Sequence, residues 1–125
     1  MSYSEQFFLQ LTQLNAEVKS GFEKLNGLQS ALDRQLADTY HDIERLDSVD
    51  GAEGRDLMQK LKTTLTHRRV VKDEMKKIQP VYYMLRDQVQ TVETQYGKAV
   101  RTSCEIRRQL NSTMSLEEVL GAIEI

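Results

Sequence analysis

"DSVDGAEG", residues 47–54, separates two long amphipathic stretches, and its reading decides the fold. The Asp-Gly pair marks a chain reversal, and Asp50 followed three residues later by Glu53 offers an acidic N-cap to the helix beyond it. A connection this short leaves an antiparallel helical hairpin as the simplest packing.

Upstream of the turn, Phe7, Leu11, Leu14, Val18, Phe22, Leu25, Leu28, Leu32, Leu36, Tyr40, Ile43 and Leu46 follow one another in steps of three or four. Their mean spacing of ~3.5 residues is that of a coiled-coil-like seam. Ser2 with Glu5 supplies a capping box at the start. Gly21 and Gly27 each cost a helix about 1 kcal/mol relative to alanine. The pattern keeps its register through both, which favours one helix; a bend or break near 21–27 is the alternative.

Downstream, Leu57, Leu61, Leu65, Arg68, Val71, Met75 and Ile78 continue the rhythm, and Tyr82, Leu85, Val89, Val92, Tyr96, Ala99, Ser103, Ile106 and Leu110 carry it past Pro80. Proline has no amide hydrogen and disfavours helical geometry in the residue before it, so either a helix kinks at Pro80 or two helices meet there. Ser115 with Glu118 repeats the capping-box pattern ahead of a short terminal helix.

The expected architecture is all-α, a single domain over 1–125 with helices at about 4–47, 51–79, 81–111 and 116–122. It is an elongated antiparallel hairpin or three-helix bundle with coiled-coil character. The first helix would run ~65 Å at ~1.5 Å per residue, longer than a compact domain of this size is wide, and a homo-oligomer is expected to complete the core.

Composition agrees with long helices: 39% of the 125 residues are hydrophobic and 29% charged, with five tyrosines, three phenylalanines and no tryptophan. The formal net charge of −2 lends nucleic-acid binding no support. Cys104 is the single cysteine, so no internal disulfide forms, in keeping with a reducing compartment. The amino terminus has no export pattern and no run approaches a membrane span, so a soluble cytoplasmic location with no membrane partner is the expectation.

Charge is segregated along the chain. Residues 30–56 hold eight acids against three arginines, a local −5, and residues 60–77 hold seven cations against Asp73 and Glu74, a local +5. One reading is internal matching of the two arms across the turn, in which each exposed pair contributes only ~0–1 kcal/mol and mainly fixes register. The other is a surface for an anionic partner. Lys62, Arg69 and Lys76 recur every seven residues away from the seam, with Lys72 at its edge. Arg68 lies in the seam itself and needs a carboxylate, for which Asp33 is best placed. These five residues are the candidate partner-binding set. No aromatic interleaves with them, so base stacking is unsupported and nucleic acid is the less favoured partner.

No catalytic, cofactor or metal residues are assigned. His41 and Glu44 stand at i, i+3, but a di-metal bundle needs paired motifs and more inward acids. The turn lacks a calcium loop's acids, since the residues five before Gly51 and Gly54 are Leu46 and Val49. Cys104 has Arg101, Arg107 and Arg108 nearby but no histidine, and is read as an inert thiol.

The segments "LDRQLADTYHDIE", "AEG" and "HRRVVKDE", within residues 32–80, resemble a group of small helical bacteriophage proteins of Gram-positive hosts, mostly of unassigned function. That resemblance implies a phage-type interaction protein, an inhibitor or adaptor acting on a host defence or nucleic-acid-processing protein. A virion or scaffold component and a nucleic-acid or nucleotide binder are the alternatives. No catalytic residue comes with it.

Overall fold

The structure, a computed structural model, describes residues 2–111 and 113–123. Among the described residues the regular structure is entirely helical: α1 spans Tyr3–Glu44, α2 Ala52–Leu110 and α3 Leu116–Ala122. No helix among them is long and apolar enough to cross a membrane.

Each helix end follows from local chemistry. Ser2 Oγ accepts the Glu5 amide at 3.3 Å, and Ser115 Oγ accepts that of Glu118 at 3.2 Å, satisfying donors that a first helical turn leaves without partners. At the start of α2 the Gly51 carbonyl takes the first helical bond, from the Arg55 amide at 3.1 Å, so the cap position falls on Gly51 rather than Asp50. Asn111 ends α2 in the left-handed region, at φ 49°, which its short polar side chain tolerates. Gly54 is required by the turn. A Cβ there would lie 2.6 Å from the Val49 carbonyl carbon, because the connection folds back onto the first turn of α2.

Pro80 lies inside α2, and the separate helices expected over 51–79 and 81–111 are one helix. The residue is exposed on the outward face. An outward position tolerates the amide donor that Pro80 cannot supply to the Lys76 carbonyl. α1 likewise continues through Gly21 and Gly27.

Tertiary contacts divide the chain into two compact units, Val18–Tyr82 and Met1–Glu17 with Tyr83–Ile125. In the first, contacts join α1 to α2 across the turn. Phe22 stacks on Tyr82 with ring centroids 4.0 Å apart, Gly21 faces Ile78, Asp33 meets Arg68, and Gln35 meets Thr64. Met75, Thr39 and Thr64 are its buried residues along this seam. In the second unit, Phe8 stacks on Tyr96 at 4.1 Å, and Leu85 and Val89 are buried. There the Arg107 guanidinium also donates to the Met114 carbonyl at 2.6 Å.

The seam differs from the expected one by five exchanges of nearby residues, and beyond Val89 the expected positions Val92, Ala99, Ser103, Ile106 and Leu110 are exposed. Phe8, Asn15, Gln29, Thr39 and Thr64 turn inward, while Phe7, Leu14, Leu28, Tyr40 and Leu65 are exposed. With these exchanges the inward residues of α1 step strictly three, four, three, four from Phe8 to Ile43. Helix geometry demands that regularity, and it overrides the larger apolar side chain one residue away. Phe8 and Phe22 are fourteen residues apart, as are Tyr82 and Tyr96, so two whole heptads separate the stacked pairs on each helix.

Candidate functional site

A seven-residue period places Lys62, Arg69 and Lys76 on one stripe of α2 and Met58, Leu65 and Lys72 on the next. Between these stripes an open groove of about 400 Å³ is lined by Leu65, Arg68, Arg69, Lys72, Asp73 and Lys76. Four of the five candidate partner-binding residues thus share one concavity; Lys62 lies on the same stripe, one heptad nearer the turn, and is not part of the lining.

Arg68 enters from the seam. Its Nε donates to Asp33 Oδ1 at 2.6 Å, the carboxylate expected from the sequence, with the two side chains 31% and 47% exposed. The pair is therefore half-buried, and water screens it more than it would a sealed ion pair. Next to it is a polar layer: Gln35 Nε2 donates to Thr64 Oγ1 at 2.9 Å, and Thr39 Oγ1 donates to the Gln35 carbonyl at 2.8 Å. Both threonines are fully buried, and no buried side-chain polar atom among the described residues lacks a partner.

Asp73 is the one acid in the groove wall, and its charge is already engaged. Lys77 Nζ donates to Asp73 Oδ2 at 2.8 Å, and this hydrogen bond, with the carboxylate's charge, raises the Lys77 ammonium above the ordinary lysine value. Lys60, Lys62, Arg69, Lys72 and Lys76 make no ion pair among the described residues. Within the groove lining, Arg69, Lys72 and Lys76 are thus cations without an ion-pair partner among the described residues.

Among the described residues, internal matching between the acidic and basic arms thus amounts to Asp33 with Arg68. The reason is geometric. The cross-helix contacts join residues placed symmetrically about the turn near residue 50, so acids close to the turn lie opposite other residues close to the turn. The cations of 62–77 lie opposite the middle of α1 instead. Asp42, Asp47 and Glu53 gather with Arg45, Leu46 and Leu57 around a second concavity of about 360 Å³ at the turn, giving the Val18–Tyr82 unit an acidic region apart from its basic one.

The remaining chemistry-bearing residues stay dispersed. His41 Nδ1 is 3.7 Å from Glu44 on α1, His67 lies on α2, and the Cys104 thiol is free and exposed. Among the described residues no group of three or more His, Cys, Asp or Glu is placed to hold a metal ion. The sequence reading missed the buried Thr39–Gln35–Thr64 layer. Its signal was the strict three-four rhythm, which selects both threonines over their apolar neighbours Tyr40 and Leu65.

Comparison of the chain with protein-family models, with curated proteins and with solved structures gave no match.

Proposed function

We propose that this chain is a non-enzymatic helical interaction protein that docks an acidic protein surface in the basic groove of α2. The observation that carries this reading is the convergence of Arg69, Lys72 and Lys76 on an apolar floor, Leu65, with none of the three cations neutralised among the described residues. Like charges held together without counter-ions favour an anionic ligand and raise its association rate. The groove wall contains no aromatic ring on which a base could stack, which favours a carboxylate-bearing protein over nucleic acid.

In this reading the architecture is an antiparallel hairpin with coiled-coil character, supported by the alternating three-four seam and the paired aromatic stacks. The setting is that of a phage-type inhibitor or adaptor in the host cytoplasm, acting on a defence or nucleic-acid-processing protein. Its support is the resemblance carried by residues 32–80.

The test is affinity capture from infected cells with wild type and with the Arg69→Glu, Lys72→Glu, Lys76→Glu variant. Wild type should retain a partner with an acidic surface in low salt and release it as salt rises, and the variant should retain none while keeping its helical content. Equal capture by both proteins would refute the groove as the docking site.

A further inference from the structure

The two stripes that bound the groove interleave along α2 as Met58, Lys62, Leu65, Arg69, Lys72 and Lys76, in steps of four, three, four, three and four. The inward face of α2 keeps the same alternation: Leu61, Thr64, Arg68, Val71, Met75 and Ile78 step by three and four. At ~100° per residue, the first set lies about 100° around the helix from the second. Arg68 belongs to the inward seam and lines the groove as well. Within the Val18–Tyr82 unit, α2 thus carries a second seam beside the one turned toward α1.

Its chemistry is graded. Met58 and Leu65, nearer the turn, are 49% and 37% exposed, and Lys62 stands between them. Arg69, Lys72 and Lys76 follow, and none of these four cations has an ion pair among the described residues. A flexible acidic tail would satisfy the cations and leave both apolar side chains in water. A segment that covers the whole seam must present apolar and acidic side chains on one face.

The rise of the chain selects the form of that segment. Side chains of the second seam advance by ~5 Å on average, at ~1.5 Å per residue. A helix lying alongside advances its facing side chains at the same rate and meets each position in turn. An extended segment places same-side residues ~6.7 Å apart and falls out of step by about one side chain between Lys62 and Lys76.

We infer that the acidic surface taken by the groove is an amphipathic helix of the partner protein, lying along α2. Its carboxylates face Lys62, Arg69, Lys72 and Lys76, and its apolar side chains face Met58 and Leu65. This inference rests on the groove reading and names the form of its occupant. The cations draw the helix in, and Met58 and Leu65 fix its register, because facing apolar side chains reach both only at seven-residue spacing.

Calorimetric titration of the full chain with synthetic peptides, with circular dichroism of the mixtures, tests this. Two alanine-rich peptides carry leucine and glutamate at the four-three spacing, one in each chain direction, so that leucines face Met58 and Leu65 and glutamates face the four cations. A third peptide has the same composition with these residues in strict alternation, which gathers them on one side only of an extended chain. One of the first two should bind at least about 10-fold more tightly than the third and gain helicity on binding. Met58→Ser, Leu65→Ser should weaken that peptide by about 10-fold and leave binding of poly-L-glutamate unchanged.

The alternating peptide or poly-L-glutamate binding wild type as tightly as both seam peptides overturns the helical occupant. The groove reading still stands in that case if Arg69→Glu, Lys72→Glu, Lys76→Glu abolishes the binding. Seam-peptide binding that survives this triple change lies elsewhere on the chain and overturns the inference too. If neither the seam peptides nor poly-L-glutamate bind wild type in low salt, both readings fall.

Discussion

The two compact units use different means to hold the same two helices together. The unit formed by Met1–Glu17 with Tyr83–Ile125 rests on apolar and aromatic packing, with Leu85 and Val89 buried and Phe8 stacked on Tyr96. The Val18–Tyr82 unit sets a stacked aromatic pair and Met75 beside a polar layer of Thr39, Gln35 and Thr64 and the Asp33–Arg68 pair. Apolar contact is non-directional and tolerates sliding, whereas a satisfied buried hydrogen bond forms in only one register. The difference assigns adhesion to the first set of contacts and alignment to the second.

The largest expected effect lies in the apolar set. Leu85 is 2% exposed, and Leu85→Ala should cost about 3 kcal/mol in denaturant unfolding, because it removes buried methyl groups from a layer only two helices thick. A loss below about 1 kcal/mol would show that this contact does not hold the helices. Next comes Thr64→Ala, expected to cost about 1–2 kcal/mol by leaving the Gln35 amide without its acceptor. Thr64→Val combined with Gln35→Leu removes both partners and should return to within about 0.5 kcal/mol of wild type. If the polar layer aligns the helices, that double variant should nonetheless show broadened or duplicated amide signals in NMR spectra.

Arg68→Ala sharpens the comparison further. A sealed ion pair would cost ~3 kcal/mol or more to break, but with the side chains 31% and 47% exposed the expected loss is about 1 kcal/mol, reduced by salt. Thermal melts at low and high salt distinguish the two magnitudes.

The smallest effect concerns Lys77, whose hydrogen bond to Asp73 raises its pKa above 10.5. A raised lysine pKa gives stability that is fully present below 10.5 and lost as pH rises through the folded value. The difference in melting temperature between wild type and Lys77→Met should therefore be constant between about pH 7 and pH 9 and shrink only above the ordinary lysine range. A difference that shrinks between those two values contradicts the assignment.

Much of the helical character was legible because periodicity and turn chemistry are local. The Asp-Gly turn, the two serine caps and the Asp33–Arg68 pair all follow from spacing. What was not legible depended on the partner helix. Choosing the most apolar residue at each step drew Leu14, Leu28, Tyr40 and Leu65 into the seam, when unbroken heptads required Asn15, Gln29, Thr39 and Thr64. Pro80 was ambiguous because a missing amide hydrogen is tolerated on an outward face, and which face it occupies is set by the whole seam. The grouping of Arg68, Arg69, Lys72 and Lys76 was readable from their helical spacing. The expectation of internal charge matching compared neighbouring stretches of sequence, whereas the contacts of the Val18–Tyr82 unit join residues about equidistant from the turn.

The carboxy-terminal end of α2 carries a further consequence. Every residue from Lys98 to Asn111 is exposed, including the apolar Val100, Ile106 and Leu110. Lys98, Arg101, Arg107 and Arg108 are trypsin-type cleavage points on this stretch. A protease needs several residues of extended chain, and an exposed helix end frays into that form at little cost. The basic residues near Arg68 sit on a helix braced by its neighbour, so digestion should nick the last three turns of α2 well before it reaches the groove.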